Sequence, residues 1–277
     1  MKQINKKILW DFKFAKAWKK FTPPSRPSQK ELKFYEYYIQ KTLKKNKNIR
    51  ILILGATPEF RDLILKHHSI PICCDLNSMV FNALKKLMKQ HGKEIFIKSN
   101  WLKLKSKNKF DLIIGHQVFN QLPFNKQSLL TKIVFHNLEP NGLFIHSTFL
   151  SPPNNIKINP LDGFKLHRKL TKTKKQIPLY SIVHAYLTLS CIHPKNKFFT
   201  PNRYLKLVDK LYRQKLISEQ ERKNIFKILP PGNSKIYVPT KEKLERILKQ
   251  YFKISSIYYP PSQYYNPINW PVYVLKK

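Results

Sequence analysis

Short, continuous apolar runs separated by stretches with helical spacing dominate the first 150 residues. Ile51-Leu52-Ile53-Leu54 is apolar at every position, with basic residues before it and Gly55 after it. That is the pattern of a strand covered on both faces in a parallel sheet. Further runs at Ile70 to Cys74, Ile95 to Ile97, Phe110 to Ile114 and Leu143 to Phe149 recur at intervals that leave room for crossover helices. Ahead of them, Ser28 and Glu31 have capping-box spacing, and Leu32, Tyr35, Ile39 and Leu43 repeat along one face, predicting a helix that ends near Lys44. Met79 to Met88 and Leu129 to Leu138 carry the helical period, and Glu139-Pro140-Asn141-Gly142 reads as a turn feeding the fifth strand.

After Phe149 the pattern changes. From Ser151 to Thr240 no clear strand run appears, while helix signals recur: Asn202 ahead of Leu205, Val208, Leu211 and Tyr212, and a second capping box at Ser218 and Glu221. Thr240 then caps a helix through Leu244, Ile247 and Leu248, followed by apolar stretches at Tyr251 to Tyr258 and Val272 to Leu275 that would close the sheet as an antiparallel pair. The expected fold is α/β: a Rossmann-like, doubly wound, mostly parallel seven-stranded sheet with an antiparallel last strand and a helical insertion. The expected segments are a helical cover (1–49), a cofactor-binding core (50–150), a helical cap (151–240), and a closing helix with two strands (241–277).

Composition changes this picture little. With 42% apolar and 13% aromatic residues in 277, the chain can fill a real core. Its 53 basic against 15 acidic residues give a net charge of +38, but 45 of the 53 are Lys, the residue that AT-rich codon usage supplies, rather than the Arg favoured in base readout. Such a field still attracts polyanions at low salt. Three cysteines, two of them adjacent, make no disulfide framework and point to a reducing compartment. Ile8-Leu9-Trp10 is too short for a signal peptide. The most apolar stretch, Ile177 to Ile192, falls short of the ~20 residues of a membrane span, so a cytoplasmic location is expected.

In a doubly wound sheet, ligands bind at the carboxyl ends of the strands. After the first run stands Gly55-Ala56-Thr57-Pro58-Glu59, a glycine turn entering a helix whose free N–H groups would face a ligand. Asp75, at the end of the second run, can accept hydrogen bonds from both hydroxyls of a ribose, or can instead cap the next helix. Ser99-Asn100-Trp101 ends the third run, where an amide and an aromatic edge can bracket a purine or form an ordinary turn. Gly115-His116-Gln117 ends the fourth.

These stations, in this order, resemble a class I S-adenosylmethionine-dependent methyltransferase. The resemblance spans Arg50 to Phe149 and the closing Trp270-Pro271-Val272-Tyr273-Val274-Leu275, and is carried by Ile51 to Glu59, Asp75-Leu76-Asn77-Ser78-Met79, Ser99-Asn100-Trp101, Phe110 to Gly115 and Leu138 to Gly142. It implies S-adenosylmethionine laid across the strand ends: the methionine part near Gly55, Ala56 and Thr57, the ribose on Asp75 beside Leu76, the adenine near Asn100 and Trp101, and Gly115 and His116 also in reach. The chain departs from the family in having Ile53 where an acidic residue is usual, no further glycines after Gly55, and Asn100 for a frequent Asp. Glu59 would face the cofactor's ammonium or sulfonium charge.

Methyl transfer from a sulfonium is an in-line displacement that alignment alone can accelerate. If the acceptor must lose a proton, His116 and His146 are the candidate bases. Tyr180 and His184, four apart on a helix, are the candidate acceptor contacts. Ser151-Pro152-Pro153-Asn154 resembles a base-handling motif but follows the wrong strand, and Cys73, Cys74, His67 and His68 lack the spacing of a zinc site. The expected reaction is methyl transfer to a small-molecule acceptor. The rivals are an RNA methyltransferase that uses the basic surface and a non-catalytic binding protein of the same fold. Oligomeric state is not legible in the sequence.

Overall fold

The computed structural model describes residues 17–153, 156–173, 177–229 and 232–277. Ile8-Leu9-Trp10, with the rest of the first sixteen residues of the expected cover, and Asn154 lie outside them. In chain order, α1 (Gln29–Leu43), β1 (Ile51–Leu54), α2 (Pro58–Lys66), β2 (Pro71–Asp75), α3 (Ser78–Lys85), β3 (Ile95–Lys98), β4 (Phe110–His116), α4 (Phe124–Asn137) and β5 (Leu138–Ser147) alternate as the apolar runs predict. The capping box is present in full: the Ser28 hydroxyl accepts from the Glu31 N–H at 3.1 Å and the Glu31 carboxylate accepts from the Ser28 N–H at 3.3 Å.

The insertion contains α5 (Pro160–Thr173), α6 (Leu179–Ser190), β6 (Phe198–Phe199), α7 (Pro201–Arg213), α8 (Glu219–Phe226) and β7 (Ile236–Tyr237), and α9 (Lys241–Leu248), β8 (Lys253–Tyr258) and β9 (Val272–Lys276) complete the chain. Two expectations need correction here. The insertion is not purely helical, because β6 and β7 pair as a two-stranded antiparallel ribbon. Two residues per strand are too few to show a period of two. And α7 is capped by Thr200, whose hydroxyl accepts from Arg203 N–H at 3.2 Å, with Pro201 in the first turn, not from Asn202 onward.

The main sheet runs β3-β2-β1-β4-β5-β9-β8. Six strands are parallel and β9 runs against them, inserted between β5 and β8. The expected turn at Glu139 to Gly142 lies within β5 as an irregularity: Phe110 pairs with Leu138, but Leu112 already pairs with Leu143. Asn141 there adopts φ 62°.

Alternation along each strand sorts the core. Ile51, Ile53, Cys73, Ile114 and Ile145 pack on one face under α1 and α2 through Tyr35, Ile39, Phe60 and Ile64. Leu52, Leu54, Cys74, Ile113 and Phe144 pack on the other under α4 and α9 through Leu130, Val134, Leu244 and Leu248. Each fully buried side chain of this kind contributes about 1.5–3 kcal/mol, which explains why the runs are apolar at consecutive positions. A third cluster, with Phe149, Phe164, Val183, Tyr204, Val208, Ile225 and Trp270, joins the insertion to the end of β5 and the start of β9. No helix among the described residues is long and apolar enough to cross a membrane.

Candidate cofactor site and adjoining cavity

Register brings the strand ends together. Leu54 lies beside Cys74 in β2 and Gly115 in β4, so Gly55, Asp75 and His116 emerge on one rim of the sheet. Gly55 adopts φ +107°, and a Cβ placed there would meet nothing nearer than the Trp101 ring at 3.9 Å and Asp75 Oδ2 at 4.0 Å. Backbone conformation, not crowding, therefore demands glycine, and Trp101 and Asp75 flank the side where a side chain would stand at ordinary contact distance. The Gly55 N–H donates to the Cys74 carbonyl at 2.9 Å, and Trp101 Nε1–H donates to the same oxygen at 2.7 Å. The indole thus lies across the ends of β1 and β2, with Asp75 and Gly55 in contact range.

Asp75 Oδ2 faces the Gly55 turn, while Oδ1 accepts from the Asn77 N–H at 3.1 Å. Burial pushes its carboxyl above the usual carboxylate range, against the opposing pull of the Asn77 and Leu76 N–H groups. It does not cap α3. That task falls to Asn77, whose Oδ1 accepts from Met79 and Val80 N–H at 3.0 and 3.3 Å. Leu76 is 51% and Met79 64% exposed beside the carboxylate. Asn100 commits its Oδ1 to the Leu102 N–H at 2.9 Å, capping a single turn over Trp101–Lys103. Ala56 and Thr57 are buried, and Pro58 opens α2 with no side-chain cap from Thr57.

Glu59 is held by the cover. Its Oε1 accepts from Trp18 Nε1–H at 3.1 Å and pairs with Arg26, while its Oε2 is buried with no hydrogen-bond partner. The cover makes three more polar contacts with the rim. The Tyr35 hydroxyl donates to the Gly115 carbonyl at 3.0 Å, Gln117 Nε2–H donates to the Pro24 carbonyl at 2.7 Å, and His116 Nδ1 lies 3.2 Å from Glu31 Oε1. A Cβ on Gly115 would come within 2.6 Å of Val118, so the turn after β4 closes only around glycine.

The two histidines named as candidate bases have different settings. His116 Nδ1 also meets Ser147 Oγ at 2.7 Å, and its Nε2 is buried without a partner. Because hydroxyl and carboxylate meet the same nitrogen, this trio is not a nucleophile-base-acid chain. His146 sits inside the core among Phe119, Phe144 and Tyr273, stacked on Tyr273 at 5.5 Å, with Nδ1 2.8 Å from Thr148 Oγ1. Burial pushes its imidazole down to about 3. The reading of His146 as a proton acceptor is thereby corrected: the side chain is on the α4 face of β5, within the packed core.

Tyr180 and His184, the proposed acceptor contacts, are brought together over the ends of β4 and β5. Their rings stack at 4.5 Å in α6, and both line a cavity of about 70 Å³. Its floor is the turn after β4, with Gln117 and Gln121, and its other walls come from the cover, the insertion and the start of β9. Burial lowers the His184 imidazole to about 3 and pushes the Tyr180 hydroxyl well up. Gln117 was not singled out by the sequence. It adopts φ 53°, a conformation that only glycine advertises, and it links the cover to the cavity.

Cys73 and Cys74 are buried in β2, and desolvation pushes both thiols up to about 12. Among the described residues no group of three His, Cys, Asp or Glu side chains could hold a metal ion.

No family model and no curated protein matches this sequence. Solved structures do. A SAM-dependent methyltransferase from Methanosarcina mazei superposes with a TM-score of 0.52 at 16% identity, covering 87% of this chain and 96% of its own. The N-methyltransferase NodS from Bradyrhizobium japonicum WM9, in complex with S-adenosyl-L-homocysteine, gives 0.51 at 9% identity over 96% and 99% of the two chains. A protein from Rhodobacter sphaeroides described as a putative Zn-dependent alcohol dehydrogenase gives 0.52 at 14% identity over 95% and 97%. At these identities the likeness is one of fold, and the fold is that of the class I S-adenosylmethionine-dependent methyltransferases.

Proposed function

We propose that this chain is an S-adenosylmethionine-dependent methyltransferase acting on a small-molecule acceptor by proximity and in-line displacement. The observation that carries the reading is the convergence of Asp75 and Trp101 on the Gly55 turn, at a φ of +107° that favours glycine and leaves that side without a Cβ. When bound, the cofactor would supply a methyl group already activated on a sulfonium. Asp75 would accept the ribose hydroxyls, and Leu76, Asn100 and Trp101 would line the adenine. The Gly55-Ala56-Thr57 turn would admit the methionine part, and the unpartnered Glu59 Oε2 fits an ammonium. The cover excludes water from the rim through Trp18, Tyr35 and Pro24, whose carbonyl accepts from Gln117. His116 stays a candidate for holding a proton, through its unpartnered Nε2.

Calorimetry with S-adenosylhomocysteine tests this. Micromolar binding by the wild type, weakened at least about 10-fold in Asp75→Ala, is the expected result. No binding at millimolar ligand would favour the non-catalytic rival.

One observation favours a second reading, RNA as acceptor: an open cleft of about 420 Å³ holds Lys195, Lys197, Lys235 and Lys243 around Phe124, Phe198 and Tyr237. On that reading RNA affinity falls about 10³-fold or more between 50 and 200 mM salt and substitution of Lys235 and Lys243 lowers methyl incorporation into RNA.

A further inference from the structure

The cavity beside the rim is walled unlike the rest of this molecule. The chain carries 53 basic and 15 acidic residues in 277, yet among the described residues not one Lys, Arg, Asp or Glu lines this space. An unpaired charge brought into such a site has no counter-ion and loses its hydration. A cationic acceptor would also face the sulfonium charge.

The walls are flat as well as neutral. Phe149 and Trp270 stack at 5.0 Å with only 6° between their planes, and Phe21 stacks on Tyr180 at 6.2 Å and 29°. These rings come from four separate parts of the chain: cover, end of β5, α6 and start of β9. Ring faces gathered in this way receive another planar ring by offset stacking. The β6–β7 ribbon closes a further side, and its alternation explains the contrast with the lysine cleft: Phe199 and Ile236 turn into the cavity, while their neighbours Phe198 and Tyr237 turn toward the lysines.

Within these apolar walls one polar atom is buried and lacks a partner, His184 Nδ1, and beside it the Ser25 hydroxyl has only the Tyr180 hydroxyl to meet. Buried polar groups are normally satisfied, so the unsatisfied imidazole nitrogen facing this space points to a ligand that completes it. A hydroxyl both donates and accepts, and it satisfies His184 in either tautomer. At about 70 Å³ the space is about half the ~150 Å³ cavity that holds benzene, so it admits no more than a single ring, and that only as its walls give way.

Resting on the methyltransferase reading above, we propose that this cavity takes an uncharged, single-ring aromatic acceptor whose hydroxyl hydrogen-bonds to His184 and Ser25. In the transfer the methyl carbon leaves sulfur for the hydroxyl oxygen, sulfur keeps the electron pair of the broken bond, and the hydroxyl proton passes to water. One ether, one thioether and one proton result.

The test is saturation-transfer NMR and calorimetry on the full chain with S-adenosylhomocysteine present, using four probes of one shape: 4-methylphenol, toluene, 4-methylbenzoate and 4-methylbenzylammonium. The phenol is expected to bind at least about 10-fold more tightly than either charged probe, and His184→Phe to reduce the phenol to the affinity of toluene while leaving toluene and S-adenosylhomocysteine binding unchanged. Equal or tighter binding of a charged probe overturns the proposal, as does a phenol preference that survives His184→Phe. If that variant fails to fold, the wild-type ranking of the four probes decides alone. Failure of S-adenosylhomocysteine to bind overturns the methyltransferase reading instead, and the two failures are read from separate titrations.

Discussion

Two imidazoles buried without charged neighbours, His146 and His184, contribute to the pH dependence of this protein's stability. Both are pushed down to about 3 by burial, against an unfolded value near ~6.5. The unfolded chain therefore binds more protons than the folded one between those values. Their stabilising contribution is fully present above about pH 6.5 and is lost progressively as pH falls toward 3. Urea midpoints measured from pH 7.5 to 4 should fall steadily for the wild type and less steeply for His146→Phe, whose ring fits among Phe119, Phe144 and Tyr273. Equal slopes would contradict the assignment. At this scale the sequence was legible where strand ends fix position: Gly55 and Asp75 had to emerge on the rim once the runs before them were strands. It was not legible for His146, because both faces of a parallel strand are covered and side-chain parity does not separate rim from core. Nor was it for Gln117, whose left-handed backbone leaves no mark in a residue other than glycine.

Helix α2 and strand β3 are joined by a buried ion pair that no pattern announced. Arg61 is fully buried, donates to both Glu94 oxygens at 2.6 and 2.9 Å and to the Phe81 carbonyl at 3.1 Å, and lies 4.0 Å over the Phe81 ring. Removing Arg61 leaves the buried Glu94 carboxylate with only the half-exposed Lys85 Nζ at 3.2 Å, so Arg61→Ala should cost about 3 kcal/mol, the low end for a broken buried pair, read as a lower denaturant midpoint. A double change of Arg61→Met with Glu94→Gln should recover part of it. A single-variant loss below about 1 kcal/mol would show that the pair is solvated. The same limit explains the elements that were missed. Capping boxes at Ser28 and Ser218 are local and were readable, whereas Arg61–Glu94 spans 33 residues and the β6–β7 ribbon has two residues per strand.

Across the whole molecule, the cover and the insertion meet over the carboxyl ends of β4 and β5, and that meeting makes the candidate site. Trp18 and Arg26 hold Glu59, Tyr35 holds the Gly115 carbonyl, and Gln117 holds Pro24. The mostly parallel seven-stranded sheet with its antiparallel last strand could be read from run spacing and the resemblance it supports. The cavity could not, because its walls come from segments far apart in the chain whose docking is decided by packing. The most direct measurement of the central claim is a crystal structure of the chain grown with S-adenosylhomocysteine. The account predicts a nucleoside with its ribose hydroxyls on the Asp75 carboxylate, its sulfur beside the Gly55 turn, and the thioether face that would carry the methyl in S-adenosylmethionine turned toward Gln117. A ligand bound elsewhere with Asp75 untouched, or Trp101 closing the Gly55 turn at saturating ligand, would contradict it.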